Sequence, residues 1–467
     1  MTSSTLELIY SQKSPSYGTQ ILATLAVSLG PLAVGLGKGY SSPAIASLAT
    51  PAEHGGLAIS AQQGSWVASL SLLGALVGGL PSGLALRLGR RRLLAAVSVP
   101  FAAAWWLAAG AGSLEALYAA AFISGLCSAL VALVTPVYVS EIAQPAVRGG
   151  LCAVTKVASN VGLLLSFLLG GALDWQQLAL AASVAPLLLL PACCLVPETP
   201  SYLLLRGQER QARVALQWLR GPGADVTEEF SILRANILRS EETRETPTAG
   251  GTGGREARRA LLRPVLVTCG LMLLQKFCGV SVFSFYAVPL LSRTLSHLDA
   301  HGAAAAVGLL QILAGLTSGV LIDTVGRLPL LTISSALMSA ALAGFGTFVY
   351  VVQPWTDAER AALDWVPMSC VLVCQVAFSL GVGPISWLLI GELFPLRQRG
   401  LGALASSVSY GCAFVSVKTF VDLERALGLH GVFWLYAAVS AVCLVFVLVF
   451  VPETRGTELP EMEKAPS

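Results

Sequence analysis

The sequence predicts an all-α membrane protein of twelve transmembrane helices in two six-helix bundles, joined by a short helical linker on the cytoplasmic side. Three observations carry this. The 467-residue chain is 55% hydrophobic and only 12% charged, about half the charge of an ordinary soluble domain. Apolar stretches of about 20 residues, each long enough to cross a ~30 Å hydrocarbon core as a helix, recur along almost its whole length. The punctuation between them also occurs twice in the same order. Gly89-Arg90 returns as Gly326-Arg327, the pair Glu141 and Arg148-Gly149 as Glu392 and Arg399-Gly400, and Val196-Pro197-Glu198-Thr199 as Val451-Pro452-Glu453-Thr454. Duplicated six-span halves belong to secondary carriers with parallel repeats.

The first half, residues 1–196, places spans at about Thr19–Gly39, Ser65–Leu86, Leu93–Ala111, Ala116–Val139, Leu151–Leu173 and Gln177–Leu195. The second span is rich in Gly and Ala, which let helices approach closely in lipid. Residues 197–263 change character. Ser201–Arg220 sets Leu203, Leu204, Ala212, Val214, Ala215 and Leu219 among Arg206, Glu209, Arg210 and Arg213, the pattern of an amphipathic helix on the inner membrane face. A polar helix follows over Thr227–Leu238, and Ser240–Arg255 has the composition of a flexible tether. The second half, 264–452, places spans at about Val265–Leu291, Ala303–Ile322, Leu328–Val352, Val366–Ile390, Leu401–Val421 and Gly431–Val451, before a tail at 453–467.

Orientation follows from where Lys and Arg fall. The loops after even-numbered spans are basic, as in Arg87-Leu88-Gly89-Arg90-Arg91-Arg92. Those after odd-numbered spans carry only Arg293, Arg360 and Arg425, so both termini are expected in the cytoplasm. Met1–Tyr17 is polar, with Lys13 its one base and no cleavage site, so a removable signal peptide is not expected. A formal charge of +3 gives no reason to expect a nucleic-acid partner; the partners expected are a lipid bilayer and a small solute, with the monomer as the working unit.

The ten cysteines all fall in apolar spans, where they act as small packing residues. His297 and His301 flank Asp299 at a spacing that could hold a metal on a helix, but in a loop without a further ligand they are read as solvated residues, and no metal or cofactor is expected. There is no His-Glu-x-x-His helix, no Gly-x-Ser-x-Gly elbow and no deep pair of carboxylates, which argues against an intramembrane enzyme. No Asn-x-Ser/Thr sequon occurs.

Several strings together resemble a sugar porter of the major facilitator superfamily over essentially the full length: Tyr40-Ser41-Ser42-Pro43-Ala44, Pro136 to Gly149, Val196 to Pro200 with Leu203-Leu204, Asp323 to Arg327, Gly383 to Gly400, Lys418-Thr419-Phe420 and Val451 to Gly456. Within it the chain is most similar to arthropod facilitated trehalose transporter-like proteins and class III facilitative glucose transporters. The resemblance implies a central cavity between two bundles and alternating access. It makes Gln275, Gln311, Phe378 and Trp387 sugar-site candidates, with Phe285 and Tyr286 matching an aromatic pair after the span-seven signature. A polyol needs amides that both donate and accept, and an apolar face for its ring. The charges Arg90, Arg91, Glu141, Arg148, Glu198, Arg327, Glu392, Arg399 and Glu453 collect at the cytoplasmic boundary, where they could latch the inner side while the cavity faces out.

The chain departs from the family pattern at Lys156 and Lys276, where Gln is usual, at Ser281, at Tyr410-Gly411 and at Leu86. Lysine at the bilayer centre costs roughly 2.5–3.5 kcal/mol, so Lys38, Lys156 and Lys276 facing lipid would together cost on the order of 8–10 kcal/mol. Lys156 and Lys276 are therefore expected to face the cavity, and Lys38, near the outer end of span one, to snorkel. No carboxylate lies deep in any span to pair with them. The cavity candidates are thus Lys156, Gln275, Lys276, Ser281, Gln311, Phe378, Trp387 and Tyr410. The function expected is facilitated transport of a hexose- or trehalose-like sugar, since span one lacks the acid of proton-coupled relatives. A carrier of an anionic sugar derivative or organic anion, or a non-transporting membrane sensor, is the alternative.

Overall fold

The computed structural model describes residues 17–49, 57–81, 85–245, 254–355, 359–360, 362–393 and 399–453, with side chains left out at 239–263, 323, 390–393 and 399–405. Among the described residues the regular structure is helical: α1 Gly18–Ala49, α2 Ala61–Gly79, α3 Arg90–Ala109, α4 Leu114–Ile142, α5 Pro145–Gly170 and α6 Trp175–Leu195 form the first half. Then come α7 Pro200–Leu205, α8 Glu209–Arg220 and α9 Thr227–Glu245, followed by α10 Gly254–Phe277, α11 Val280–Thr294, α12 Ala300–Val325, α13 Arg327–Val351, α14 Trp365–Leu380, α15 Val382–Leu393 and α16 Arg399–Phe450. Ten stretches are long and apolar enough to span a membrane. The last of them, within α16, is two spans divided at Gly428, whose φ of 72° leaves the helical region. The shorter, Gly-rich α2 completes the twelve of the fold.

Helix starts are set by local chemistry. Ser60 and Gln63 form a reciprocal capping box on α2, Ser113 accepts from Ala116 N on α4, and the Asp299 carboxylate accepts from Gly302 N at 2.6 Å on α12; each satisfies a backbone donor that the helix itself leaves unpaired. Asp299 is thus a cap beside His297 and His301.

Four sequence expectations shift. Span seven is two helices, α10 and α11, parted at Gly279 (φ 81°) and bent again at Tyr286. Span ten parts at Gly381 into α14 and α15. The linker stretch Ser201–Arg220 is α7 and α8, because Gly207 at φ 71° stops the first. The polar helix after it runs on to Glu245, and residues 246–253 of the expected tether lie outside the described ones.

Each half has its own apolar core. One unites α1 to α6; the other unites α10 to α16. A third, small cluster of Tyr202, Leu203, Ala212, Ala215, Leu216, Val226 and Phe230 holds the linker helices together. The first core depends on glycine at the α1–α5 crossing. A Cβ on Gly35 would strike the Ser159 carbonyl, and one on Gly162 would strike the Leu32 carbonyl, so the two backbones lie in direct contact. Helices in lipid gain most from such close packing.

The halves meet along three seams: α2 with α16, α5 with α12, and α1 with α11. The face that carries Arg90, Arg148 and Arg327 is called the basic face below. At the opposite face the second core takes in Ile45, Ala68, Leu163 and Phe167 of the first half. There Val288 N donates to Ser42 Oγ at 2.8 Å, across 246 residues of chain; the non-helical Tyr286 two residues earlier interrupts the α11 ladder. Lys418 Nζ lies 3.0 Å from Ser65 Oγ and 4.7 Å above the Trp66 ring. Toward the basic face the α5–α12 seam opens: Leu164 lies against Gly308 and Asn160 against Gly315, whereas nothing stands within contact of a Cβ on Gly319. The bundles are closed at one end of this seam and parted at the other.

Candidate functional site

The basic face is built twice. Gly89 adopts φ 103° and ends the turn before α3. The Glu198 carboxylate, delivered by the end of α6, then accepts from Arg90 N at 2.9 Å, Arg91 N at 3.0 Å and Arg92 N at 3.4 Å. A negative charge at a helix N-terminus meets the exposed donors and the positive end of the dipole. A Cβ on Gly89 would stand 2.6 Å from Glu198 Oε2. In the second half Gly326 adopts φ 104°, and Glu453 accepts from Arg327 N at 3.1 Å and Leu328 N at 2.9 Å at the start of α13. The duplicated Gly-Arg and Val-Pro-Glu-Thr strings are thus the two ends of one staple, made once per half.

Arg90 adds a lateral tie. Its Nη2 and Nε reach Glu141 Oε1 of α4 at 2.8 and 3.2 Å, with the guanidinium 5.4 Å from the Tyr202 ring of α7. Arg91 Nη1 donates to Val196 O at 3.1 Å, and Tyr138 Oη to Pro197 O at 2.8 Å. Arg148 is exposed and donates to Ala143 O at 3.3 Å; Arg327 Nη1 donates to Ile322 O at 3.4 Å. Glu392 and Arg399 lie outside the described side chains. These contacts of the motif charges each lie within one half, and none of them runs from one half to the other.

The cavity candidates divide into groups. Gln275 is buried on α10, and its Nε2 donates to Val382 O and Gly383 O at 3.0 and 3.1 Å, the carbonyls at the α14–α15 break. Its Oε1 is buried with no partner, an acceptor facing no donor. The half-buried Phe378 stands where a Cβ on Gly383 would meet its ring at 3.0 Å, so the ring lies over the same break. Gln311 Nε2 donates to Gln375 Oε1 at 2.7 Å between α12 and α14, both buried. Trp387 is 38% exposed; Ser281 and Tyr410 are half-buried. No hydrogen bond among the described residues joins these last three to the glutamines.

Lys276 is half-buried on α10, less than one turn before the break at Gly279. Lys38 does not stand at the outer end of its span, because α1 runs on to Ala49; this corrects the snorkelling expected of it. Lys38, Ser42 and Ile45 fall on one face, and Ser42 and Ile45 touch the second half, so Lys38 faces between the bundles. Lys156 is exposed on the same face of α5 as Asn160 and Leu164, where the seam opens. Tyr286 stacks on Phe420 at 5.1 Å in a separate cavity of about 250 Å³ at the opposite face, also lined by Ile45, Ser60, Arg293 and Glu424. Gln375 was missed in the sequence, although a glutamine inside Val371-Leu372-Val373-Cys374-Gln375-Val376-Ala377-Phe378 is a signal, since polar groups in lipid need partners.

Replacing Gln275 with leucine removes a donor from two carbonyls at once, at about 1–3 kcal/mol for the groups left unmade. Solute exchange in liposomes is expected to fall roughly tenfold or more, and a wild-type rate would show that the break needs no brace.

Two bundles that meet along seams closed at one end and parted at the other define a membrane-spanning protein built in two halves. The chain matches the family "Sugar (and other) transporter" over residues 22–465, and it belongs to that family, whose members are transporters and not enzymes. It is 36% identical to the facilitated trehalose transporter Tret1 of Polypedilum vanderplanki over 98% of this chain and 90% of that protein. It is also 36% identical to Tret1 of Drosophila mojavensis, again over 98% of this chain, but it spans only 53% of that longer relative. Among solved structures it is similar to the inward-open xylose transporter XylE of E. coli, with TM-score 0.75 and 22% identity over 94% of this chain and 98% of that one. That likeness shows the fold.

Proposed function

We propose that the protein carries a sugar across a membrane by facilitated diffusion, with bundles at 1–196 and 264–452 rocking about a cavity that opens to the basic face. The observation that carries the proposal is the Gln275 amide. Its nitrogen is spent on the α14–α15 break, and its oxygen is left buried and unpartnered beside that break, as a site for a solute hydroxyl would be. Gln311, Phe378 and Trp387 supply further polar and aromatic surface; Ser281 and Tyr410 complete the set. The basic face is cytoplasmic, as is the linker 197–263 with the tail 453–467; the membrane is the plasma membrane, and the monomer is the working unit. Arg90, Arg91, Glu141, Arg148, Glu198, Arg327, Glu392, Arg399 and Glu453 govern the cytoplasmic gate. Within each half Arg90, Arg91, Glu141 and Glu198, and Arg327 and Glu453, hold helix ends rigid, so that each bundle moves as one body. Transport is uncoupled, because α1 carries no carboxylate to take a proton.

The test is counterflow in proteoliposomes with glucose, trehalose and glucuronate. Exchange of at least one of them without accumulation under an imposed pH gradient is expected. A preparation that exchanges none is not a carrier of this class, and accumulation driven by the gradient would overturn the uncoupled mechanism.

A further inference from the structure

We propose that Lys418 is the pin of a latch at the face opposite the basic one, an ammonium carried by α16 of one bundle, held by α2 of the other, and released each time the bundles part there. This rests on the transport function proposed above and names a residue that sets the balance of its two states. Lys418 is half-buried in α16, about one turn before Asp422. Its Nζ donates to Ser65 Oγ of α2 at 3.0 Å, and the buried Ser65 hydroxyl in turn donates to Gln62 O at 2.7 Å. The ammonium also stands 4.7 Å from the centre of the Trp66 ring, which lies 6.4 Å from the Phe414 ring across the same seam. The Gln62 amide fits its neighbours in one orientation, in which Oε1 accepts from Lys418 Nζ at 2.8 Å and Nε2 donates to Asp422 Oδ1 at 3.3 Å.

Each of these contacts of Lys418 and Asp422 crosses from one half to the other, unlike those of the motif charges at the basic face. Hydrogen bonds made by a charged donor are stronger than neutral ones, and a cation over an aromatic face adds to them. Parting the bundles at this face must break them together. What replaces them is already written along α16. Lys418 and Asp422 stand four residues apart, the spacing at which opposite charges on one helix meet. No direct ion pair joins them in the closed arrangement among the described residues; the Gln62 amide bonds to both instead. Withdrawing α2 lets the two charges meet, so the ammonium is not stranded as a lone buried charge would be. The closed and open states then differ by a ring contact and a few hydrogen bonds, a difference that biases the equilibrium without freezing it.

Amide hydrogen exchange of the full chain in lipid nanodiscs tests this, with Lys418→Gln and Lys418→Arg beside the wild type. In Lys418→Gln the amides of residues 59–68 and 413–424 are expected to exchange about tenfold faster, a change of ~1.4 kcal/mol in the balance of states. Rocking opens every seam of that face at once, so residues 40–48 of α1 and 286–294 of α11, on a different seam, should rise by the same factor. Lys418→Arg, which keeps a cation over the ring, should match the wild type. A rise confined to α2 and α16 is local loosening and overturns the latch, as does no rise at all. Should Lys418→Gln not fold, Gln62→Ala at the half-buried rim removes the bridge alone; about a threefold rise on both seams is expected from one lost hydrogen bond, and none overturns the proposal. Counterflow of glucose, trehalose and glucuronate by the same proteins separates the two readings. A concerted rise in a protein that exchanges no solute keeps the latch and removes the carrier, and solute exchange without a concerted rise does the reverse.

Discussion

Gly35→Val is expected to leave no folded protein: on fluorescence-detected size-exclusion chromatography the monodisperse peak disappears. The added carbon collides with the Ser159 carbonyl and the Leu163 amide of α5. Both are backbone atoms inside a helix, so neither can rotate away as a side chain would. Gly162 makes the reciprocal approach to Leu32 and Leu36, and α1 must therefore separate from α5 along the whole crossing. Overpacking a core that can adjust costs about 1–3 kcal/mol; here the loss should exceed about 4 kcal/mol, the range reserved for broken packing. Gly112→Val is the control, because nothing stands within 4 Å of a Cβ there. A normal peak from Gly35→Val would mean that the crossing is not set by glycine.

Arg90→Ala is the second large effect, expected to lower stability by about 2–3 kcal/mol and to stop solute exchange. Glu141 is only 18% exposed, and its second oxygen, Oε2, already lacks a partner. Removing the guanidinium strands a carboxylate at the end of α4, and stranding one member of a buried pair costs more than the pair itself is worth. The partial exposure of both groups reduces the figure from the fully buried range. Glu141→Ala in the same chain should recover part of the loss, because the stranded charge goes with it. Thermal unfolding of the four proteins of this double-mutant cycle measures the coupling. Strict additivity would show that Arg90 acts through Tyr202 instead.

The spans and their duplication were legible because each depends on local chemistry: about 20 apolar residues, a basic loop, a glycine before an arginine. The second staple could be anticipated from the first for the same reason. What the sequence did not disclose depends on contacts made far along the chain. Lys38 was placed near the outer end of span one, since the apolar run read as ending at Gly39; α1 continues through Pro43 to Ala49, and only the packing of Ser42 against Val288 fixes which way it turns. Span seven read as one apolar run, although Gly279 can adopt the positive φ that parts α10 from α11. The bond between Gln311 and Gln375 needed both members, and only one matched a familiar pattern.

The staples also bear on how the chain is made. Glu198 and Glu453 each stand at the end of their own half and reach back to the start of its third span. The amino-terminal bundle therefore has the core of its six spans, Leu219 of α8 apart, and its closing carboxylate once the chain has been synthesised through the first few residues of α7, with the whole second half still to come. Biogenesis can proceed as two successive folding events of the same design. The inter-bundle contacts of Ser42, Ser65 and Trp66 are then left for a final docking step, in which two finished bodies meet.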